Sequence, residues 1–466
     1  MPKTKFKQNI KYALKQEELQ KSLGGFRHGL MAKRQNILGE LPDFEQHREY
    51  AKNAKDQVLS EWEKYLNQFC ENFEKQGGKI YFAIDGTSAQ DIIVDLCNEV
   101  EAKLVAKSKS MTSEEIHLNK ALENAQMKVV ETDLGEYIIQ LRNETPSHII
   151  MPAIHLSKNE IEESFKKAHK NEDPMRNFSN AELLVREARK QLRHTFLNAD
   201  VGITGANFLV ADEGIIAIVT NEGNADLTLS LPKRHIIITS VEKLVANITD
   251  CFSFIRLLPR SATGQSITSY VSFIRAAQNK DIHLVLLDNG RSQMANNVQK
   301  QMLRCIRCGA CMNHCPVYQT IGGHAYENTY PGPMGSVLSA NILGISEKAE
   351  LSFASTGCKR CDEVCPVKIP LTSLMHDIRT QAYEQNNVSL AKKYILKIWA
   401  YMMISPKKLK YANRVTLAIM RIFSRIQSQN NRLTNIPLLK AWFSSRDLPI
   451  NKQKSFLEQW RDNRDA

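Results

Sequence analysis

Apolar and polar positions along the chain fall into distinct textures. Residues 1–70 mix charged and apolar positions with few turn residues before Gly77-Gly78, which predicts a helical lead-in. From 71 to 296, short β-rich runs appear at 79–83, 127–130, 148–151, 214–220, 235–239 and 283–287. They alternate with helix-length segments at 89–105, 113–125, 158–169 and 180–198. That alternation predicts parallel pairing and an α/β sheet covered on both faces. From 297 to 387 the strand signal stops, and helical segments surround most of the cysteines. Here Tyr330-Pro331-Gly332-Pro333-Met334-Gly335 is a rigid turn that must interrupt helix. Residues 388–466 read as a basic helical tail.

A chain of 466 residues exceeds one core's usual size, so several domains are expected. Residues 1–23 are lysine-rich and polar without an apolar segment, which does not read as an export signal. A cytoplasmic, reducing setting is therefore expected, and structural disulfides are not. The net charge of +12 is concentrated at one end: 388–466 hold 16 Lys plus Arg against 4 Asp plus Glu, leaving 46 of each sign in the rest. Such a tail suits an anionic membrane surface or an acidic partner, though solvated helix faces are the commonest explanation of such a charge balance. Nucleic acid is not expected, since no zinc-finger or helix-turn-helix signature accompanies the charge. The apolar stretch 394–406 is too short to span a bilayer and is interrupted by Lys397. Flanked by lysines, it suits a helix lying on the inner face of a membrane, or one packed on the neighbouring domain.

Seven of the ten cysteines lie in two runs, Cys305-x2-Cys308-x2-Cys311-x3-Cys315-Pro316 and Cys358-x2-Cys361-x3-Cys365-Pro366. The first is the bacterial ferredoxin spacing, in which three thiolates bind one cluster and the fourth crosses to another. Paired C-x2-C units also suit zinc, but a closed tetrahedral site needs only four ligands, and the crowded spacing here is that of a cubane. With crossing over, Cys305, Cys308, Cys311 and Cys365 hold one 4Fe-4S cluster, while Cys315, Cys358 and Cys361 hold a second. The second run lacks its first cysteine, and Ser355 stands in that place. Its open corner admits a 4Fe-4S cluster with Ser355 or water, a 3Fe-4S cluster, or a partner's ligand. Arg304, Arg307, Lys359 and Arg360 lie beside these cysteines; as exposed charges they would raise the potential or dock an acidic redox partner. Cys70, Cys97 and Cys251 stand alone and read as small buried hydrophobes.

The α/β half also carries three polar loops, at 107–115, 220–224 and 260–265. Loops at the carboxyl ends of parallel strands form the usual ligand crevice. Candidate ligand residues are Lys109, Ser110, Asn221, Glu222, Asn224, Arg260, Ser261 and Gln265. Glu222 is placed to serve as acid, base or nucleophile, and a network of turns and caps is the plainer alternative. No catalytic residue is singled out, and no G-x-G-x-x-G dinucleotide fingerprint is present.

With these segments in view the chain closely resembles the bacterial lactate utilization protein B family. The resemblance rests on KSKSMTSEEI at 107–116, ETDLGEYIIQL at 131–141, PSHIIMPAIH at 146–155, TNEGN at 220–224, LPKRHIII at 231–238, RSATGQ at 260–265, WFSSRDLP at 442–449 and both cysteine runs. It implies an LUD domain with a fold similar to the sugar-phosphate isomerase and CoA-transferase group, then an α-helical ferredoxin domain and a helical C-terminal region. It further implies electron transfer, with a cysteine-rich heterodisulfide-reductase-like subunit and a second LUD protein as partners in oxidising L-lactate to pyruvate. A quinone is one candidate acceptor. The alternative is a catalytic subunit that itself binds a small 2-hydroxy acid through the TNEGN and RSATGQ loops.

Overall fold

Aliphatic runs too short for helices pair side by side in the α/β half. The computed structural model describes residues 5–25, 27–276 and 280–426, together with residues 432–433, 443, 446–449, 460 and 463. The chain divides into two units, Met1–Asn387 and Val388–Ala466. The strands of the first unit are β1 (Lys79–Ala83), β2 (Leu104–Lys107), β3 (Lys128–Glu131), β4 (Val201–Thr204), β5 (Phe208–Val210), β6 (Ile215–Thr220), β7 (Arg234–Ser240), β8 (Leu244–Val245), β9 (Tyr270–Ile274) and β10 (Asp281–Leu287). Six of them make one parallel sheet in the order β1-β10-β7-β4-β2-β3. On the central strand β7, Ile237 pairs with Leu284 of β10 on one side and Thr204 of β4 on the other. Every residue of β7 is buried, as a parallel strand covered on both faces requires, and its run His235-Ile236-Ile237-Ile238 is accordingly continuous rather than alternating.

A second sheet, in the order β8-β5-β6-β9, was not expected from the sequence. Its β5-β6 pair is antiparallel and turns through Gly214, whose φ of +58° and close approach to the Phe73 backbone nitrogen exclude a side chain. The expected helix at 89–105 ends at Asn98, and the last part of that segment becomes β2. Leu104-Val105-Ala106 is too short an apolar run for periodicity to separate from the helix before it. The expected helix at 113–125 is two helices, Met111–Glu115 and Leu118–Asn124, broken at His117 with φ +52°. The expected strand at 148–151 is a loop. There the backbone amides of Ile150 and Met151 donate to His148 Nδ1 at 3.0 and 3.1 Å, so they do not join a ladder.

The five N-terminal helices do not stand apart. Phe6–Ala13, Glu17–Gly24 and Phe44–Ser60 contribute Phe6, Leu23, Ala51 and Ala54 to one core with the cysteine-bearing module. Helix Trp62–Lys75 instead packs Phe69 and Phe73 against the sheets. The turn at 330–335 starts helix Gly332–Ile342, and a Cβ on Gly335 would collide with the Tyr330 carbonyl. In the second unit, helices Leu390–Met403 and Pro406–Ile426 contain no Asp or Glu. Among the described residues no helix is long and apolar enough to cross a membrane. The segment at 442–449 lies partly outside the described residues.

Candidate iron-sulfur centre and adjoining cavity

The two cysteine runs adopt one backbone plan. Cys305 leaves the turn Lys300–Arg304, Arg307 and Gly309 take left-handed φ values of +59° and +72°, and a short helix, Ala310–Asn313, carries Cys311. Fifty positions later the pattern repeats, with Gly357 at +72°, Lys359 at +60° and helix Arg360–Val364 carrying Cys361. A hydrogen bond repeats with it. The Arg307 amide donates to Cys305 Sγ at 3.4 Å, and the Gly357 amide donates to Ser355 Oγ at 3.2 Å. The Ser355 hydroxyl thus occupies the counterpart of the Cys305 thiol.

Cys305, Cys308, Cys311 and Cys365 line one small cavity closed by Ile149, Met334, Val367 and Leu371. Burial, and then the neighbouring thiols, push the Cys308 and Cys311 thiols well up, while burial outweighs backbone hydrogen bonds to raise Cys365 to about 11. A second group forms where Cys315 interacts electrostatically with Cys358 and with Cys361. Cys358 is exposed, and the other six run cysteines are buried. Among the described residues no three His, Cys, Asp or Glu side chains converge on a point that would hold a single ion. The first four thiols line a space, and their ferredoxin spacing suits a sulfide lattice. The donor set is soft, and the Cys305 and Cys365 sulfurs each accept a backbone amide, as cluster thiolates do.

Charge around the first group is buried and paired. Arg304 forks onto Asp56 at 2.6 and 2.9 Å, and Arg307 donates to Glu242 at 2.8 Å with its guanidinium 4.7 Å from the Tyr330 ring centre. This corrects the expectation of exposed charges at both arginines; Lys359 and Arg360, beside the second group, are exposed. Burial alone would raise the Glu242 carboxyl, but Arg291 and Arg307 hold it down at about 2. Arg291, wholly buried, also binds Glu115 through both terminal nitrogens at 2.9 and 2.7 Å, and Tyr330 donates to Glu115 at 2.7 Å. The Arg48 guanidinium donates to the Cys365 carbonyl at 3.0 and 2.8 Å, which ties an N-terminal helix to the second run.

A larger cavity, about 360 Å³, opens at the carboxyl ends of β2, β3, β4 and β7. Lys109, Ser110, Asn221, Glu222 and Asn224 line it. Arg260, Ser261 and Gln265 do not; Gln265 accepts from Asn221 at 2.8 Å and steadies that loop from behind. Glu222 sits at an exposed position, and its carboxyl is raised by partial desolvation and by Asp133. Lys243 and Arg307 also line the cavity, and sequence reasoning missed both in this role. The available signal was a lysine three residues past the end of the Ile-rich strand β7, where parallel sheets build ligand sites. Ile149 forms part of both cavities.

A family model for the LUD domain matches residues 66–300, and one for a 4Fe-4S dicluster domain matches residues 301–369. A protein of Macrococcus caseolyticus named lactate utilization protein B is 38% identical over 98% of this chain and 97% of its own length. A Bacillus thuringiensis protein of the same name is 38% identical over 93% of this chain and 92% of its own. The chain belongs to the lactate utilization protein B family. Its dicluster match spans all seven run cysteines, and its LUD match contains both sheets. The remaining cysteines of this family member stay outside both thiol groups: Cys97 and Cys251 are fully buried and Cys70 is half-buried.

Proposed function

We propose that this chain is the iron-sulfur electron-transfer subunit of a complex that oxidises L-lactate to pyruvate. The observation that carries this reading is the gathering of seven thiols into two neighbouring groups with ferredoxin spacing. The names of the relatives supply the link to lactate. Cys305, Cys308, Cys311 and Cys365 would hold one 4Fe-4S cluster, and Cys315, Cys358 and Cys361 a second, with Ser355 at its fourth corner. When bound, these clusters supply one-electron carrier chemistry. Lys243 and Arg307, buried near Cys305, favour an added electron there by offsetting its negative charge. Exposed Lys359 and Arg360 beside the second group suit docking of an acidic redox partner. The partners in this reading are a cysteine-rich heterodisulfide-reductase-like subunit and a second LUD protein, with a quinone as acceptor.

Two experiments decide the matter. Iron quantitation with EPR on anaerobically purified protein should find two clusters; zinc without iron would end the proposal. L-lactate added to this chain alone should leave the clusters oxidised, and adding both partners should reduce them. Reduction without partners would favour the second reading, a catalytic 2-hydroxy acid subunit, for which the 360 Å³ cavity is the supporting observation. The acid-free, lysine-rich helices of the second unit carry exposed Tyr394, Ile398 and Trp399, which supports peripheral contact with anionic lipid. Cosedimentation with anionic vesicles at low salt tests that contact, and absence of binding there removes it.

A further inference from the structure

Behind one wall of the larger cavity lies a buried charge cluster that none of the preceding chemistry uses. Lys107 ends β2 with no exposure, and Glu131, on β3, and Glu136, on helix Leu134–Arg142, are 2% and 3% exposed. An ammonium has three protons to donate, and those of Lys107 are all placed: on Glu131 Oε1 at 2.7 Å, Ser113 Oγ at 2.9 Å and Glu114 Oε1 at 3.0 Å. Asn119 adds one more donor, again to Glu131 Oε1, at 2.6 Å. Glu131 Oε2 and Glu136 Oε1 are left buried and without a hydrogen-bond partner, which is costly for a carboxylate. Charge does not balance either. Two lysines, Lys107 and Lys109, stand against three carboxyls, Glu114, Glu131 and Glu136, and leave one negative charge in excess.

We propose that Glu131 and Glu136 share a single proton at neutral pH, and that this pair is a proton store whose occupancy is set by the charge on the cavity wall. One proton meets both demands. Borne by one carboxyl and donated to the other, it gives the unmet oxygens a partner and brings the cluster to neutrality. Among the described residues no three such side chains are placed to hold a metal ion, so the proton is the cation that fits. Burial drives the Glu136 carboxyl well up, Lys109 opposes it, and Glu114 and Glu131 add to the rise. Burial likewise raises Glu131 over the opposing effect of Lys107. The elements packed around the pair bring no further neutralising charge to it: Glu115 is tied to Arg291, helix Leu118–Asn124 offers the neutral Asn119 amide, and helix Lys158–Ala168 meets the Glu136 helix where Arg142 donates to Ser164 at 3.0 Å. The cavity wall is close by. Ser108, Lys109 and Thr112, which line the cavity, flank Lys107 and Ser113 in sequence, and Asp133, also on the lining, caps the helix that carries Glu136. A cation arriving beside Lys109 would break the carboxyl O–H bond and send the proton to water, whereas an anion there would hold it.

Infrared spectroscopy on the anaerobically purified full chain in deuterated buffer tests the proposal. At neutral pH the carbonyl stretch of a buried protonated carboxyl should be present, and Glu136→Gln should remove it. Glu131→Gln should remove it too, with a lower unfolding temperature because Lys107 loses a partner. Lys109→Met takes away the cation that opposes the proton and leaves both carboxyls in place, so the pH at which the band disappears should rise by about one unit or more. That variant decides the question if Glu136→Gln does not fold. Melting against pH gives a second readout. A carboxyl raised in the folded state contributes stability that is complete below the ordinary value of 4.5 and is lost as pH climbs through the raised value. Wild type should therefore lose more stability than Glu136→Gln as pH is raised from 4.5 upward. No such band in wild type, a band that survives both glutamine variants, a band unmoved by Lys109→Met, or parallel melting profiles would overturn the proposal. Neither readout involves lactate, partners or cluster potentials, so the proton store and the electron-carrier reading fail separately.

Discussion

The two cysteine runs share a backbone and differ in almost everything around it. Both place left-handed residues at equivalent positions and both direct an amide onto the first side-chain heteroatom of the motif. The first run is buried against the LUD half, its arginines neutralised by Asp56 and Glu242. The second carries the exposed Cys358 and a serine in place of a thiol. Spacing and turn geometry therefore specify where the thiols of each run go, whereas tertiary burial and the identity of one residue specify how enclosed each thiol group is and how many thiols it has.

The widest gap between the runs should appear when one thiol is removed from each. Cys311 is buried among Cys305, Cys308 and Cys365, so Cys311→Ala should lose the first cluster and about half of the iron, and lower the unfolding temperature markedly. Cys358→Ala should lose only the second cluster, with little change in melting, because its side chain is exposed. Iron content and calorimetry on the two variants check this. Equal destabilisation would mean that the exposed run is as integral to the core as the buried one.

Next in size is the ion network beside the first run. Glu242→Gln leaves Arg307 without its carboxylate and Arg291 with Glu115 alone, and should cost about 3–5 kcal/mol in chemical denaturation. Acid should mimic it. A carboxyl lowered to about 2 when folded contributes stability that is complete above the ordinary value of 4.5 and is lost as pH falls from there toward 2. In wild type the loss over that window should exceed the loss in Glu242→Gln; parallel pH profiles would show that this carboxylate is not the group responsible.

Much of this arrangement is legible in the amino-acid sequence, for identifiable reasons. Thiol spacing is local, so the runs, the missing ligand and Ser355 could be read directly. Parallel strands buried on both faces leave continuous apolar runs, and β7 and β10 were visible that way; β1, β3 and β6 were visible as short β-rich runs. What stayed hidden depended on partners distant in sequence. The segment 148–151 has a strand's composition, but the ring of His148 captures its amides and bonds in turn to Asn313 at 2.8 Å. Arg304 and Arg307 looked like surface charge because Asp56 and Glu242, far away in sequence, are what make their burial tolerable. Lys243 carried no motif at all; only the cavity reveals it.

A smaller effect on stability, but a sharper one spectroscopically, is expected from Ser355→Cys. The Gly357 amide already bonds the serine oxygen in the geometry that the Arg307 amide uses for Cys305 Sγ, so the new thiol needs no backbone change. Any oxidised-state 3Fe-4S signal should disappear, iron per chain should rise or hold, and the second cluster should resist oxidative loss. An unchanged 3Fe-4S signal would mean that position 355 does not face the cluster.

The smallest expected effect separates the two left-handed positions themselves. Gly309→Ala introduces a Cβ at φ +72° and within 3.2 Å of the His148 ring, so it should cost roughly 1–2 kcal/mol or more. Lys359→Gly relieves the same conformational penalty at φ +60°, but it also loosens the unfolded chain, so its net gain should stay within about 1 kcal/mol. The asymmetry follows from surroundings: Gly309 packs on the 148–151 loop, whereas Lys359 is exposed. Equal and opposite changes in the two denaturation midpoints would mean that turn strain alone distinguishes these sites. A larger loss at Gly309 means that contact with the LUD half sets the firmness of the first run.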